Sequence, residues 1–148
     1  MTAAMIERRL RRFLLITVGA VCLGTIAELW FAEHTESRTQ LIPFVLCGLG
    51  FLSAAWVLLM PNRLSFYTLR VVMVTALGGS LYGMYQHLSN NLAFELEIRP
   101  NATRSDVWMD ALKGVNPLLA PAILALVAVL AMAATYQHPA LGKREDVV

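Results

Sequence analysis

The sequence predicts an all-α membrane protein with four transmembrane helices in an up-down antiparallel bundle. A short amphipathic helix is expected in the outer connection between the third and fourth. Three observations lead there. Of 148 residues, 57% are hydrophobic and 15% charged, against about 45–50% and about 25% in ordinary soluble domains. Four stretches reach the roughly 20 apolar residues needed to cross a hydrocarbon layer about 30 Å thick. Basic residues gather on one side of those stretches. This excess of apolar side chains excludes a disordered chain, a soluble nucleic-acid binder and a disulfide-stapled secreted module.

The first span covers about residues 13–32, Phe13 to Ala32, and its one charge is Glu28. A basic run precedes it, yet its apolar stretch exceeds the about 7–15 residues of a signal core and no small-residue cleavage site follows, so it reads as retained. Trp30 and Phe31 mark an interface belt. The second span, 41–60, carries no charge and stops against Pro61. The third covers 66–88, charge-free from Val71 to Tyr85. The fourth, 118–136, has Pro117 and Pro121 at its start, where the missing donor is tolerated, and Pro139 just past its end.

Orientation follows from the positive-inside bias. With a cytoplasmic N-terminus, the inner segments hold Arg8, Arg9, Arg11, Arg12, Arg63, Arg70, Lys143 and Arg144, and the outer ones hold Arg38, Arg99, Arg104 and Lys113. Both termini are then cytoplasmic, including a tail at 137–148. The four arginines before the first span read as this orientation signal, so no nucleic-acid partner is expected. The lipid bilayer is the expected partner, together with other membrane subunits or a second copy of the chain.

Lipid offers helices no hydrophobic drive to associate, so small residues must let backbones approach. Gly79 and Gly83 form a GxxxG pair on the third helix, Gly48 sits on the second, and Ala122, Ala125, Ala128 and Ala131 repeat every three residues on the fourth. Cys22 and Cys47, counted from the ends of these spans, differ in depth by several ångströms, which argues against a disulfide. They read as small apolar packing groups.

The outer loop, 89–117, is too long to be bare. Residues Leu92 to Ile98 alternate apolar and acidic side chains, as an extended piece or a continuation of the third helix, until Pro100. Ser105 is expected to cap the amphipathic helix, with Asp106 in its first turn, Gly114 past its end, and Val107, Trp108, Ala111 and Leu112 on one side.

Candidate chemistry collects at the outer face. Glu28 is a carboxylate within a span, where charge is costly and usually functional. His34 follows in the first loop, and His87, Asn91, Glu95 and Glu97 lie at and beyond the outer end of the third helix. Imidazole with carboxylates suits a divalent first-row metal, but no HxxxH, HExxH or cysteine cluster is present. The expectation is therefore a hydrogen-bonded polar cap with no cofactor, a divalent metal being the alternative. A lone acid on the first of four helices resembles the small multidrug-resistance exporters, but the long outer loop and the charge bias depart from them.

The run Tyr85-Gln86-His87, Asn91, Phe94-Glu95-Leu96-Glu97, Ala111-Leu112-Lys113-Gly114, Leu119-Ala120-Pro121 and Tyr136-Gln137-His138-Pro139 resembles uncharacterised small four-helix proteins of bacterial membranes. That resemblance implies inner-membrane placement and four spans, and carries no activity. No nucleophile elbow, phosphate loop or catalytic carboxylate pair occurs. The sequence thus points to a non-enzymatic accessory or scaffold subunit. The alternative is a ligand-binding, metal-binding or small-solute transport protein using Glu28, His87 and Glu95.

Overall fold

The computed structural model describes residues 2–142; Lys143 and Arg144 of the inner basic set, and the tail beyond Gly142, lie outside the described residues. Among those described there are only helices and turns. They are α1 (Ala3–Phe31), α2 (Arg38–Leu59), α3 (Arg63–Ile98), α4 (Arg104–Leu112), α5 (Ala122–Thr135) and a 3-10 turn (Pro139–Leu141). Helices α1, α2 and α3 are long and apolar enough to cross a membrane.

Helix α1 begins ten residues before the apolar stretch and carries Arg8, Arg9, Arg11 and Arg12 on its first turns. It ends in a turn with Glu33 at a positive φ of 52°. The Glu33 amide donates to the Trp30 carbonyl and the His34 amide to the Leu29 carbonyl, the two reversed bonds of a Schellman motif. Helix α2 starts at a reciprocal capping box between Ser37 and Gln40, and α3 at another between Asn62 and Ser65. Each box satisfies donors that the first turn leaves orphaned, which fixes both helix starts to the residue.

The packing partners show that α1, α2, α3 and α5 alternate in direction. Gly19 lies against Phe51, and Gly50 against Cys22, pairing α1 with α2. Gly79 meets Leu46, and Gly50 meets Met73, pairing α2 with α3. Arg70 reaches Thr135 and Gly83 meets Pro121, pairing α3 with α5. Arg11 reaches the carbonyl of Ala134, closing α1 on α5. One core joins these four helices, built from Val18, Cys22, Cys47, Leu69, Met73 and Val127 among others. Outside it, Leu52, Val71, Val74, Leu81 and Val129 are each more than 60% exposed. An apolar surface of that extent on a chain this poor in charge is solvated by lipid.

Several expectations need correcting. The fourth stretch, expected as a helix over 118–136, is helical only over 14 residues, about 21 Å. Residues 118–121 are turns, because Pro121 has no amide to donate to Pro117 and the chain closes i to i+3 bonds instead, Ala120 to Pro117 and Leu124 to Pro121. The third helix continues ten residues past Leu88, so the first part of the expected outer loop is helix. Thr103, not Ser105, caps α4: its amide and hydroxyl both bond the Asp106 carboxylate.

Cys22 and Cys47, expected at different depths, are neighbours close enough for their thiols to interact, each 1% exposed. Cys22 lies nine residues before the end of α1 at Phe31, and Cys47 nine residues after the start of α2 at Arg38. Measured from the turn that joins the helices, their depths are equal. Both remain free thiols.

The glycines divide. A Cβ on Gly79 would collide with Leu46 Cδ1, and one on Gly83 would lie 2.8 Å from Pro121 Cβ, so the GxxxG pair packs within the chain. Gly48 meets no neighbour within 4 Å, and the close approach on α2 belongs to Gly50, whose Cβ would lie 3.0 Å from Cys22 Sγ.

Candidate functional site

The six outer residues singled out by the sequence separate into distinct arrangements. Glu28, one turn before the end of α1, is exposed. Glu97, on the last turn of α3, is also exposed. Neither carboxylate bonds a side chain or amide among the described residues. Among the described residues Glu28 makes no hydrogen bond or ion pair with His87 or Glu95.

Asn91 is the structural centre of this end. It is 2% exposed, and its primary amide uses every donor and acceptor it has. Nδ2 donates to the carbonyls of Ala111, at 3.0 Å, and Asn116, at 2.9 Å. Oδ1 accepts from the Asn116 amide nitrogen, at 2.9 Å, and from its side-chain Nδ2, at 3.0 Å. These bonds fasten the end of α4 and the segment after it to α3. Gly114 is required here by space: its φ is negative, but a Cβ would lie 2.5 Å from Asn91 Cγ.

One turn further along α3, Glu95 joins an ion cluster. Arg99 Nη2 lies 2.7 Å from Glu95 Oε2 and 2.6 Å from Asp110 Oδ2, bridging α3 to α4. The two carboxylates, Asp110 foremost, hold the guanidinium above its ordinary value. Glu95 and Asp110 are thus occupied by a cation of the chain itself. The Glu95–Arg99 spacing of four on a helix was a readable signal, whereas Asp110 and Asn116 became partners only through the return of α4 over α3.

His34 and His87 form a separate pair. The carbonyl of Pro117 lies 2.8 Å from His87 Nδ1. A carbonyl can only accept, so Nδ1 carries a proton and donates it to Pro117. His34 stands near enough that burial first, and repulsion from His87 second, push its pKa down. Among the described residues, no group of three or more His, Cys, Asp or Glu side chains could hold a metal ion.

At the opposite end, arginines expected only to orient the chain do structural work. The last turn of α5 contains no basic residue, and its carbonyls are met from elsewhere. Arg11 Nη1 donates to Ala134 O at 2.8 Å and Arg70 Nη2 to Thr135 O at 2.7 Å. Cations suit the negative end of a helix. Arg63 donates to the Gly142 carbonyl, and the His138 ring rests 4.1 Å from that of Phe66. Arg8, Arg9 and Arg12 stay exposed.

No family model, curated protein or solved structure matches this chain.

Proposed function

We propose that the chain is a non-enzymatic integral membrane protein of the bacterial inner membrane, acting as an accessory or scaffold subunit through its helix faces and its polar outer cap. It crosses four times, with α5 and the turn before it completing the fourth passage and both termini on the cytoplasmic side. The spacing of polar markers supports this. Arg70 and His87 stand 17 positions apart on α3, about 26 Å at a helical rise, close to the thickness of a hydrocarbon layer.

The observation that carries the scaffold reading is Asn91. Its saturated bonding, with the Glu95–Arg99–Asp110 cluster beside it, spends the outer polar groups on holding α4 in place. A rigid platform results. The test is purification from native membranes in a mild detergent, with mass measured by light scattering. A stoichiometric complex with another membrane subunit is expected, surviving His87→Ala with Glu95→Ala and lost in Asn91→Leu. A solitary chain, or a complex indifferent to Asn91→Leu, overturns the reading. Fusions of a periplasm-dependent reporter at Asn101 and Gly142 check topology: activity is expected at the first alone.

A second reading has its own support. The ring of His87, oriented by Pro117 through Nδ1 and with His34 nearby, is placed as a metal-ligating imidazole commonly is. Two histidines leave a divalent ion to draw its other ligands from water or a partner. Metal analysis of purified protein, with His34→Ala and His87→Ala as controls, decides it.

A further inference from the structure

We propose that the groove between α3, α5 and the 3-10 turn is a binding site for one anionic phospholipid. The groove encloses about 790 Å³ at the basic end of the molecule, and its walls are mainly apolar. Met132, Ala133 and Val129 line it from α5, and Tyr136 from the residue just past its end. At spacings of three and four they form one stripe along that helix. The stripe runs from the basic end toward the middle of the apolar belt, where Val129 is 61% exposed. A ligand that fills it must carry a long apolar chain.

Its polar end must meet Arg70, which also lines the groove. The guanidinium has five donors. Nε is spent on Thr135 Oγ1 at 3.2 Å and one Nη2 donor on the Thr135 carbonyl. Among the described residues no acceptor meets Nη1 and no carboxylate pairs with Arg70. Two fixed bonds thus orient the fork while donors remain open at the mouth, which suits the paired oxygens of a phosphate.

The surrounding field selects the charge of the whole headgroup. Arg8, Arg9, Arg11, Arg12, Arg63 and Arg70 gather at this end, and Glu7, which pairs with Arg11, is the one acid there among the described residues. A zwitterionic headgroup brings an ammonium into that field, whereas phosphatidylglycerol brings only its phosphate. A soluble phosphate has the charge but nothing to place along Val129 and Met132. An anionic phospholipid satisfies both halves. The inference depends on the apolar belt being lipid-solvated and is independent of any accessory role.

Native mass spectrometry of the full chain released from detergent micelles tests it, with phosphatidylglycerol and phosphatidylcholine of the same acyl chains and with glycerol phosphate as the headgroup alone. One phosphatidylglycerol is expected to stay bound, phosphatidylcholine to be lost, and glycerol phosphate not to bind. Arg70→Gln should weaken retention about tenfold, the scale of one charge-assisted hydrogen bond, with Arg70→Lys recovering part. Because Arg70 also caps α5, Ala133→Trp is the decisive variant: it fills the groove from an exposed position and leaves the cap alone. It should reduce phosphatidylglycerol binding by a similar factor with unchanged thermal unfolding in lipid-free detergent. Equal retention of the two lipids, binding of the headgroup alone, or full binding by Ala133→Trp overturns the proposal.

Discussion

The two ends of this molecule close their helices by different chemistry. At the basic end, the carbonyls that finish α5 are met by guanidinium groups reaching across from α1 and α3. At the opposite end, the segment between α4 and α5 is held chiefly by a neutral amide, Asn91, buried to 2% exposure, with His87 bonded to the Pro117 carbonyl beside it. A flexible charged side chain on the rim can be replaced in part by water. A buried amide making four bonds is harder to replace, because its loss breaks all four at once, one of them fully buried. The outer clamp should therefore be the more fragile of the two.

The largest effect is expected from Asn91→Leu. It removes all four bonds and leaves the carbonyls of Ala111 and Asn116 and the Asn116 amide without their partner. A loss of about 3 kcal/mol is expected from stranded buried groups, read as the midpoint of unfolding in mixed detergent. A loss below that of Arg70→Gln would reverse the ranking of the two ends.

Next come the glycines, which probe how rigid each contact is. At Gly83 a new Cβ meets the ring of Pro121, whereas at Gly79 it meets the far end of the Leu46 side chain. A leucine terminus can rotate away and a proline ring cannot. Gly83→Ala should cost about 2 kcal/mol and Gly79→Ala under about 1 kcal/mol. The same assay distinguishes them, and equal costs would show that α5 shifts as readily as Leu46 turns. Arg70→Gln is expected to cost about 1 kcal/mol, a solvent-accessible cap at a helix C-terminus.

What the sequence made legible follows from the range over which each cause acts. Apolar length and charge content are sums along the chain, so three long apolar helices could be read directly. Pro61 and Pro121 act on their own neighbours, and they mark real helix boundaries. Partners that meet through the fold could not be read: Asn91 with Asn116, Arg99 with Asp110, Arg11 with Ala134. Cys22 and Cys47 show the same limit in another form. Their equal depth depends on where α1 ends and α2 begins, and the Ser37 capping box and the Schellman turn at Glu33 set both positions. Counting from apolar stretches placed those ends a few residues away, enough to separate two adjacent thiols.

That turn supplies a smaller test. Glu33 holds a left-handed conformation, φ 52°, that glycine adopts without a Cβ penalty. Glu33→Gly should stabilise the protein by about 0.5 kcal/mol, the relief of strain less the added freedom of the unfolded chain. Destabilisation would mean that the Glu33 side chain contributes more than its backbone costs.

The smallest expected effect, pH dependence, also compares the two ends. His34 near the outer cap and His138 at the basic end both have lowered pKa values, each chiefly through burial. The second cause is His87 for the first and Arg11 for the other, where Glu7 partly opposes it. A histidine whose pKa is lower in the folded chain than in the unfolded one favours folding while neutral. That contribution is complete above the ordinary value of about 6.5 and fades as pH falls through the lowered one. Protonation at the basic end also opposes a specific bond, since His138 Nδ1 accepts the Ala140 amide at 3.1 Å, whereas no side-chain bond holds His34 among the described residues. Thermal unfolding between pH 7.5 and 5 should therefore shift downward, with His138→Asn flattening the curve more than His34→Gln does. A curve flattened more by His34→Gln would place the sensitive contact at the outer face, between His34 and His87.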